Sequence, residues 1–229
     1  RRGEFADAEA HFRKAIERLT RRNANPYDGE AYYNLGLCLR YLDRDTEAYD
    51  ALYKATWNQS WVSAGYHALA EIDCTRKHWA KAVDNLDRSL RFVTDNLRAR
   101  NLKALVLRKL GKVAAARLLL EETRRMDRLD WWARHISGKE MNCDLQAQLD
   151  IANDYARAGF YDEAIRLLET ASVLPRELPD QSLGALPLVH YTLGWLEKKR
   201  GDDKAALRHF KRAAQLPSDY CFPARLEEI

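Results

Sequence analysis

Residues 159–171, GFYDEAIRLLETA, decide the fold, because they combine a turn with the start of an amphipathic helix. Gly159 marks the turn. Ala164, Leu168 and Ala171 then follow at steps of four and three residues, which puts all three side chains on one helix face. A small residue at each end of this row lets a neighbouring helix approach closely, while the leucine fills the groove between the two helices. The stretch therefore predicts the second helix of a closely packed pair.

The same row of an alanine, a large apolar residue and a small residue recurs along the chain. Its six copies are Ala8, Phe12, Ala15; Ala48, Leu52, Ala55; Ala82, Leu86, Ser89; Ala116, Leu120, Thr123; Ala164, Leu168, Ala171; and Ala206, Phe210, Ala213. The steps between leading alanines are 40, 34, 34, 48 and 42 residues. Two steps are therefore equal, and the other three are longer by insertions of 6, 14 and 8 residues.

Each copy except the first follows another predicted helix, which is marked by a small residue near its middle. These marks are Leu35-Gly36, Leu69-Ala70, Ala104, Ile151-Ala152 and Leu193-Gly194. Glycine or a polar residue stands where the two helices of a pair should be joined, at Asp43, Lys77, Gly111, Gly159 and Gly201. The pattern predicts a row of antiparallel helix pairs, and the scarcity of β-branched residues gives little support to strands.

These repeated marks resemble the tetratricopeptide repeat family, most clearly at residues 34–36 and 159–165. The resemblance implies an all-α fold, a right-handed superhelix or α-α solenoid, over residues 1–229 as one array. A half repeat would occupy residues 1–22 and a partial new repeat residues 222–229. The complete repeats are expected at about 29–58, 62–93, 96–127, 144–174 and 186–216.

A narrower resemblance concerns residues 25–40, 54–57, 70–74 and 219–229. They are similar to the repeat region of large bacterial proteins that carry an uncharacterised mutarotase-like β-sandwich domain. Because the first predicted repeat lacks its first helix and the last one stops early, we expect a fragment of a larger protein. Missing repeats or self-association would then cover its apolar ends.

Three segments interrupt the repeat, at residues 20–28, 130–143 and 175–187. The second segment contains Trp131 and Trp132. One interpretation makes the tryptophans a lid or an added contact surface, and the other makes them an extra helical turn that fills a gap between repeats. The third segment contains three prolines and predicts a longer connection.

The residue types that carry chemistry do not form a recognisable pattern. The four cysteines are far apart, and no histidine has a second histidine three or four residues away, the spacing that binds a metal on one helix. There is no glycine-rich phosphate loop and no Gly-x-Ser-x-Gly motif. The sequence therefore predicts no enzyme, no catalytic residue, no cofactor and no metal. Scattered cysteines suit reduced thiols in a reducing compartment, so we expect a cytoplasmic protein. We expect no membrane partner, because no apolar run approaches the length of a bilayer span.

The first helix of each pair is expected to line an inner groove that binds a protein or peptide. We predict contributions from Tyr33, Arg40, Tyr41, His67, Asn101, Arg108, Lys109, Asn153, Arg157, Tyr191, Trp195 and Lys198. Basic and aromatic side chains dominate this set, and both suit an extended peptide with acidic groups.

Three functions remain open from the sequence. The first is a scaffold that binds a peptide or a neighbouring domain in the groove. The second is an accessory repeat region of a carbohydrate-active bacterial protein, docked to missing domains of the same chain. The third is binding of single-stranded RNA. The net charge of +4, from 38 basic and 34 acidic residues, argues against nucleic acid as the partner.

Overall fold

The structure is a computed structural model that describes residues 3–25, 27–173, 185–219, 221–223, 225 and 228. Its regular elements are α-helices and one 3-10 turn within the described residues, which confirms the all-α prediction. The described chain forms two compact units, one that ends at Ser137 and one that begins at Gly138. The extent of one continuous array and the repeat boundaries stay predictions.

The unit up to Ser137 contains eight described helices. They are α1 (Phe5–Thr20), α2 (Glu30–Tyr41), α3 (Asp45–Ala55), α4 (Val62–Thr75), α5 (Trp79–Phe92), α6 (Leu97–Lys109), α7 (Val113–Met126) and the short α8 (Trp131–Ile136). Consecutive helices pack on each other from α1 to α8, and a 3-10 turn at Gln59–Trp61 precedes α4. We call α2, α4 and α6 first helices, and α3, α5 and α7 second helices.

The unit from Gly138 contains four described helices, in two pairs. They are α9 (Leu145–Arg157), α10 (Tyr161–Val173), α11 (Ala185–Arg200) and α12 (Asp203–Ala214). Helices α9 and α11 are the first helices of these pairs, and they also contact each other directly. After α12, the Arg225 guanidinium reaches back to α9, where it donates to the carbonyl oxygen of Asp150 at 2.9 Å and to the Asp154 carboxylate at 2.8 Å.

The turns within the pairs explain why their five predicted residues stand where they do. Asp43, Lys77, Gly111, Gly159 and Gly201 all have positive φ, between 56° and 94°. At Lys77, the backbone N–H donates to the carbonyl of Cys74 at 2.9 Å, and the next N–H, of His78, donates to Asp73 at 2.8 Å. The same two bonds recur at the other four turns. This is the Schellman motif, which ends a helix through one left-handed residue, so the turn prediction is confirmed.

Close approach within the helix pair explains the small residue of the first helix in the two pairs where it is glycine. A Cβ atom added at Gly36 would lie 2.5 Å from Leu52 Cγ, and one added at Gly194 would lie 2.5 Å from Phe210 Cε1. Ala48 and Leu52 are fully buried, and they form a core with α2 and α4 side chains. The predicted rows therefore point into the helix interfaces. In α1, by contrast, no residue is buried, although Phe12 and Ile16 pack partly against this core.

The 130–143 insertion begins with α8, which packs on α6 and α7. Trp132, Ala133 and Ile136 of this helix are buried. The structure thus favours the interpretation in which the insertion adds a packed helical turn. Most of the proline-containing segment 175–187 lies outside the described residues, as do Pro26 and much of the predicted partial repeat 222–229, including Leu226 and Ile229.

Candidate binding surface

In the unit up to Ser137, polar side chains of the first helices contact elements that are distant in the sequence. Arg40 of α2 forms an ion pair with Glu71 of α4. At the other end of the unit, Asn101 of α6 donates through Nδ2 to Asp130 Oδ2, at 2.7 Å. Asp130 also caps α8, because its Oδ1 accepts the N–H of Ala133 at 2.9 Å. The α6 side chain therefore holds the start of the short helix in place.

The Arg40–Glu71 ion pair changes the predicted electrostatics of this surface. The two side chains are only 14% and 6% exposed, and the His67 Nε2 atom lies 4.0 Å from the other carboxylate oxygen. Arg40 therefore does not offer a free positive charge to a partner, contrary to its predicted part in a basic groove. The sequence could not show this, because the two residues are 31 positions apart. Burial, followed by the charge of Glu71, also raises the pKa of the neighbouring Cys74 thiol.

The two predicted tyrosines of α2 are held by aromatic neighbours. The Tyr33 ring lies 4.8 Å from that of Trp61 and is tilted to it, and the Tyr41 ring stacks on Phe5 at 4.5 Å. Both tyrosines are half-buried. These contacts already fix the two rings. The rings therefore lose little further conformational entropy when a partner binds. Trp61 and Phe5 are supporting residues that the sequence pattern does not reveal, since both lie outside the first helix that carries the tyrosines.

The last turn of α6 keeps the predicted basic character. Arg108 and Lys109 are both exposed there. The carbonyl end of a helix carries about half a negative charge, so these two cations also stabilise α6. Arg108 makes no ion pair with any other described residue, which leaves its guanidinium available to a carboxylate.

Two of the predicted groove residues lie inside their units. Asn101 is 1% exposed and Asn153 is 0% exposed. Asn101 uses its amide to hold Asp130. Neither polar atom of the Asn153 amide has a hydrogen-bond partner among the described residues. These two amides are therefore not part of the accessible surface, because neighbouring helices cover them.

In the unit from Gly138, the predicted residues of α11 form one row. Tyr191, Trp195 and Lys198 follow at steps of four and three residues and therefore share a helix face. Tyr191 is 47% exposed, Trp195 is half-buried and Lys198 is exposed. The Phe210 ring lies 6.4 Å from that of Tyr191 and supports it from α12. Arg157, at the end of α9, is half-buried.

A polar cluster between α10, α11 and α12 was not predicted. Glu169, Glu197 and His209 bring one potential metal-ligand atom each within 4.8 Å of one another, and His190 Nδ1 lies 3.2 Å from His209 Nδ1. Spacing along one helix could not reveal this cluster, because its members come from three helices. Burial lowers the pKa of both histidines. We assign no metal here, because the Arg200 guanidinium lies 2.6 Å from Glu197 Oε2 and already neutralises that carboxylate.

The beginning of the chain is similar to a known protein family. Residues 1–60 match the tetratricopeptide repeat family. Those residues include α1, α2, α3 and the first of the five Schellman turns, and the later described pairs repeat the same turn. No curated protein sequence matches the chain. The narrower resemblance to proteins with a mutarotase-like domain stays a prediction.

Several solved structures have similar helical folds. YrrB, described as a tetratricopeptide repeat protein with an unusual peptide-binding site, is 20% identical, and the match covers 90% of this chain and 91% of YrrB with a TM-score of 0.46. Pseudomonas aeruginosa pilF is 17% identical, with coverage of 99% and 88% and a TM-score of 0.48. MamA from Desulfovibrio magneticus RS-1 is 18% identical, with coverage of 82% and 94% and a TM-score of 0.41. These low scores do not bear on function.

In the part of the chain that the structure describes, no helix combines the length and the apolar character needed to cross a bilayer.

Proposed function

We propose that this chain is a protein-interaction scaffold that binds a peptide or a neighbouring domain on its first helices. The row of exposed Tyr191, half-buried Trp195 and exposed Lys198 on one face of α11 is the observation that carries the proposal. Rigid aromatic side chains next to a cation are typical of residues that dominate binding energy at interfaces. Repeat proteins built from stacked helix pairs use such surfaces for extended partners.

The unit up to Ser137 supports the same role with a different set of side chains. Tyr33 is held by Trp61, and Arg108 is exposed without an ion-pair partner among the described residues. A guanidinium of this kind binds a carboxylate through two parallel hydrogen bonds. An acidic peptide is therefore the partner that we propose, although the Arg40–Glu71 pair makes this surface less basic than the sequence alone predicts.

Selection of short random peptides against the full chain tests the proposal. Each selected peptide is then measured by isothermal titration against Tyr191→Ala and Arg108→Ala. We expect one of these substitutions to weaken binding at least tenfold, which corresponds to about 1.4 kcal/mol. The far-ultraviolet circular dichroism of both variants should match that of the wild type.

Two matched controls sit on second helices. Tyr53 of α3 is 46% exposed, almost as much as Tyr191, and Arg91 occupies the last turn of α5 as Arg108 does that of α6. Tyr53→Ala and Arg91→Ala should change affinity by less than about twofold. Peptides that lose affinity with these controls and keep it with the first-helix variants would refute the proposal. The carbohydrate-accessory and RNA-binding roles stay predictions.

A further inference from the structure

An arginine-lined depression lies where α7 ends and α8 begins. Its lining consists of Arg124, Arg125, Arg128, Arg134 and Glu121, and its volume is about 360 Å³. We call it the arginine pocket. Its residues come from α7, from the connection after α7 and from the 130–143 insertion, and none of them is part of the proposed peptide surface.

The charges in the arginine pocket are out of balance. Arg124, Arg125 and Arg128 face one lining carboxylate, that of Glu121, which also lies 3.7 Å from Arg117 outside the pocket. Arg124, Arg125 and Arg128 make no ion pair or hydrogen bond through their side chains to another described residue. Like charges gathered in one depression repel one another, and a bound anion would remove that repulsion.

A structural explanation accounts for only part of this charge. Arg124 and Arg125 lie in the last turn of α7, where cations offset the negative end of the helix. That end carries roughly half an elementary charge, which a single arginine already neutralises. Arg124, Arg125 and Arg128 together carry more positive charge than the end of α7 and the Glu121 carboxylate offset.

The walls of the pocket are held in place. The Arg134 guanidinium lies over the Trp131 ring, 4.9 Å from its centre, and this stacking orients a planar guanidinium. Helix α8 is itself fixed, because Asp130 caps it and Asn101 holds Asp130. A positioned guanidinium loses less conformational entropy on binding than a free one.

We propose that the arginine pocket binds a small soluble ligand with two or more phosphate groups. Guanidinium groups match phosphate oxygens with paired N–H donors. A volume of about 360 Å³ lies near the lower end of the roughly 300–1,000 Å³ typical of small-ligand sites, so it suits a diphosphate group. Several arginines acting together favour a polyanion over a single carboxylate.

Calorimetric titration of the full chain with pyrophosphate tests this, in chloride buffer at fixed ionic strength. We expect saturable binding that is tighter than that of inorganic phosphate. The double variant Arg124→Gln/Arg128→Gln should bind pyrophosphate at least tenfold more weakly. A control with the same loss of charge, Arg91→Gln/Lys112→Gln, removes two exposed cations outside the pocket and should stay within twofold of the wild type. Equal weakening in both variants, or no saturable binding, would overturn the proposal.

Two further measurements separate a free ligand from a phosphate carried by something larger. Vesicles of phosphatidylcholine with and without a phosphoinositide are sedimented with the chain, and a phosphoserine peptide is titrated in solution. We expect pyrophosphate to bind without either. Association with phosphoinositide vesicles or with the peptide, in a chain that does not bind pyrophosphate, would show that the ligand is a membrane or a protein and would overturn the proposal.

Discussion

At the scale of single residues, two of the five Schellman turns use a residue other than glycine. Asp43 and Lys77 have φ values of 56° and 59°. A left-handed conformation costs an L-residue roughly 1–2 kcal/mol, which a glycine at the same position would avoid. Glycine is also more flexible in the unfolded chain, and this offsets part of the gain. We therefore predict that Lys77→Gly raises the free energy of unfolding by about 0.5–1 kcal/mol, measured by urea denaturation.

Gly111 provides the reciprocal test. It has a φ of 74° and no atom within 4 Å of an added Cβ, so a substitution there meets strain but no clash. Gly111→Ala should lower the free energy of unfolding by about 1 kcal/mol. If Lys77→Gly destabilised the chain by a similar amount, the conformational account of these turns would be wrong.

Asp73 makes stability depend on pH. Its carboxylate is 2% exposed, and it accepts hydrogen bonds from Asn85 at 2.8 Å and Tyr49 at 3.4 Å. Burial raises its pKa above the usual 3.8, and the hydrogen bond from Asn85 opposes that rise in part. The folded state thus holds this proton more tightly than the unfolded state, so the charged carboxylate costs stability at neutral pH, and the cost disappears as the pH falls through the raised pKa towards 3.8.

The isosteric variant Asp73→Asn tests this dependence. We compare the free energy of unfolding of the variant with that of the wild type. The difference, variant minus wild type, should be greatest at neutral pH and should decline as the solution is acidified towards pH 3.8. Denaturation curves between about pH 3.5 and 7.5 measure it. A difference that grows with acidification would mean that the folded-state pKa of Asp73 is lowered.

The sequence was enough to predict the roles of residues that depend only on local geometry. The turn positions and the small residues such as Gly36 follow from spacing along one helix or one pair, and the structure bears them out. Exposure did not follow from spacing. Asn101 is covered by the α7–α8 region and Arg40 is paired with Glu71 of another pair, so each depends on a contact between distant segments.

At the scale of elements, the Arg40–Glu71 ion pair joins two first helices. Removing one partner from a buried pair leaves an unpaired charge, whereas replacing both by apolar residues can be nearly neutral. We predict that Arg40→Leu and Glu71→Leu each lower the free energy of unfolding by about 3 kcal/mol. The double variant should lose about 1 kcal/mol or less. Additive losses in this double-mutant cycle would show that the pair is not coupled.

The two tryptophans of α8 should contribute very different amounts to the free energy of unfolding. Trp132 is 5% exposed, whereas Trp131 is only half-buried and carries Arg134 over its ring. Removing a buried tryptophan costs roughly 3–5 kcal/mol, so Trp132→Ala should lower the free energy of unfolding by about that amount, measured by chemical denaturation. Trp131→Ala should cost about 1 kcal/mol. Equal small effects would favour the alternative interpretation, in which the insertion is a lid.

At the scale of the whole molecule, the chain divides into its two compact units inside the 130–143 insertion. Residues 137–144 contain no helix, so the regular succession of helix pairs is interrupted there. The sequence placed an insertion at this point but did not predict two units. Spacing shows how many residues depart from the period, whereas the division depends on which helices pack together on each side of it.

Exposed apolar residues on the second helices offer a competing surface. Tyr53, Phe92 and Leu118 are each about half exposed, and they lie on α3, α5 and α7. Such residues are common on folded proteins and do not by themselves mark an interface. A partner bound there would leave the helical fold intact but would contradict the proposed use of the first helices.

Photo-crosslinking decides between these surfaces most directly. A selected peptide that carries a benzophenone group is irradiated with the full chain, and mass spectrometry locates the modified residues. We predict adducts on first helices, at or beside Tyr33 and Arg108 or at Tyr191 and Trp195, and their loss when unlabelled peptide competes. Competed adducts confined to the second helices, around Tyr53 or Phe92, would contradict the central claim.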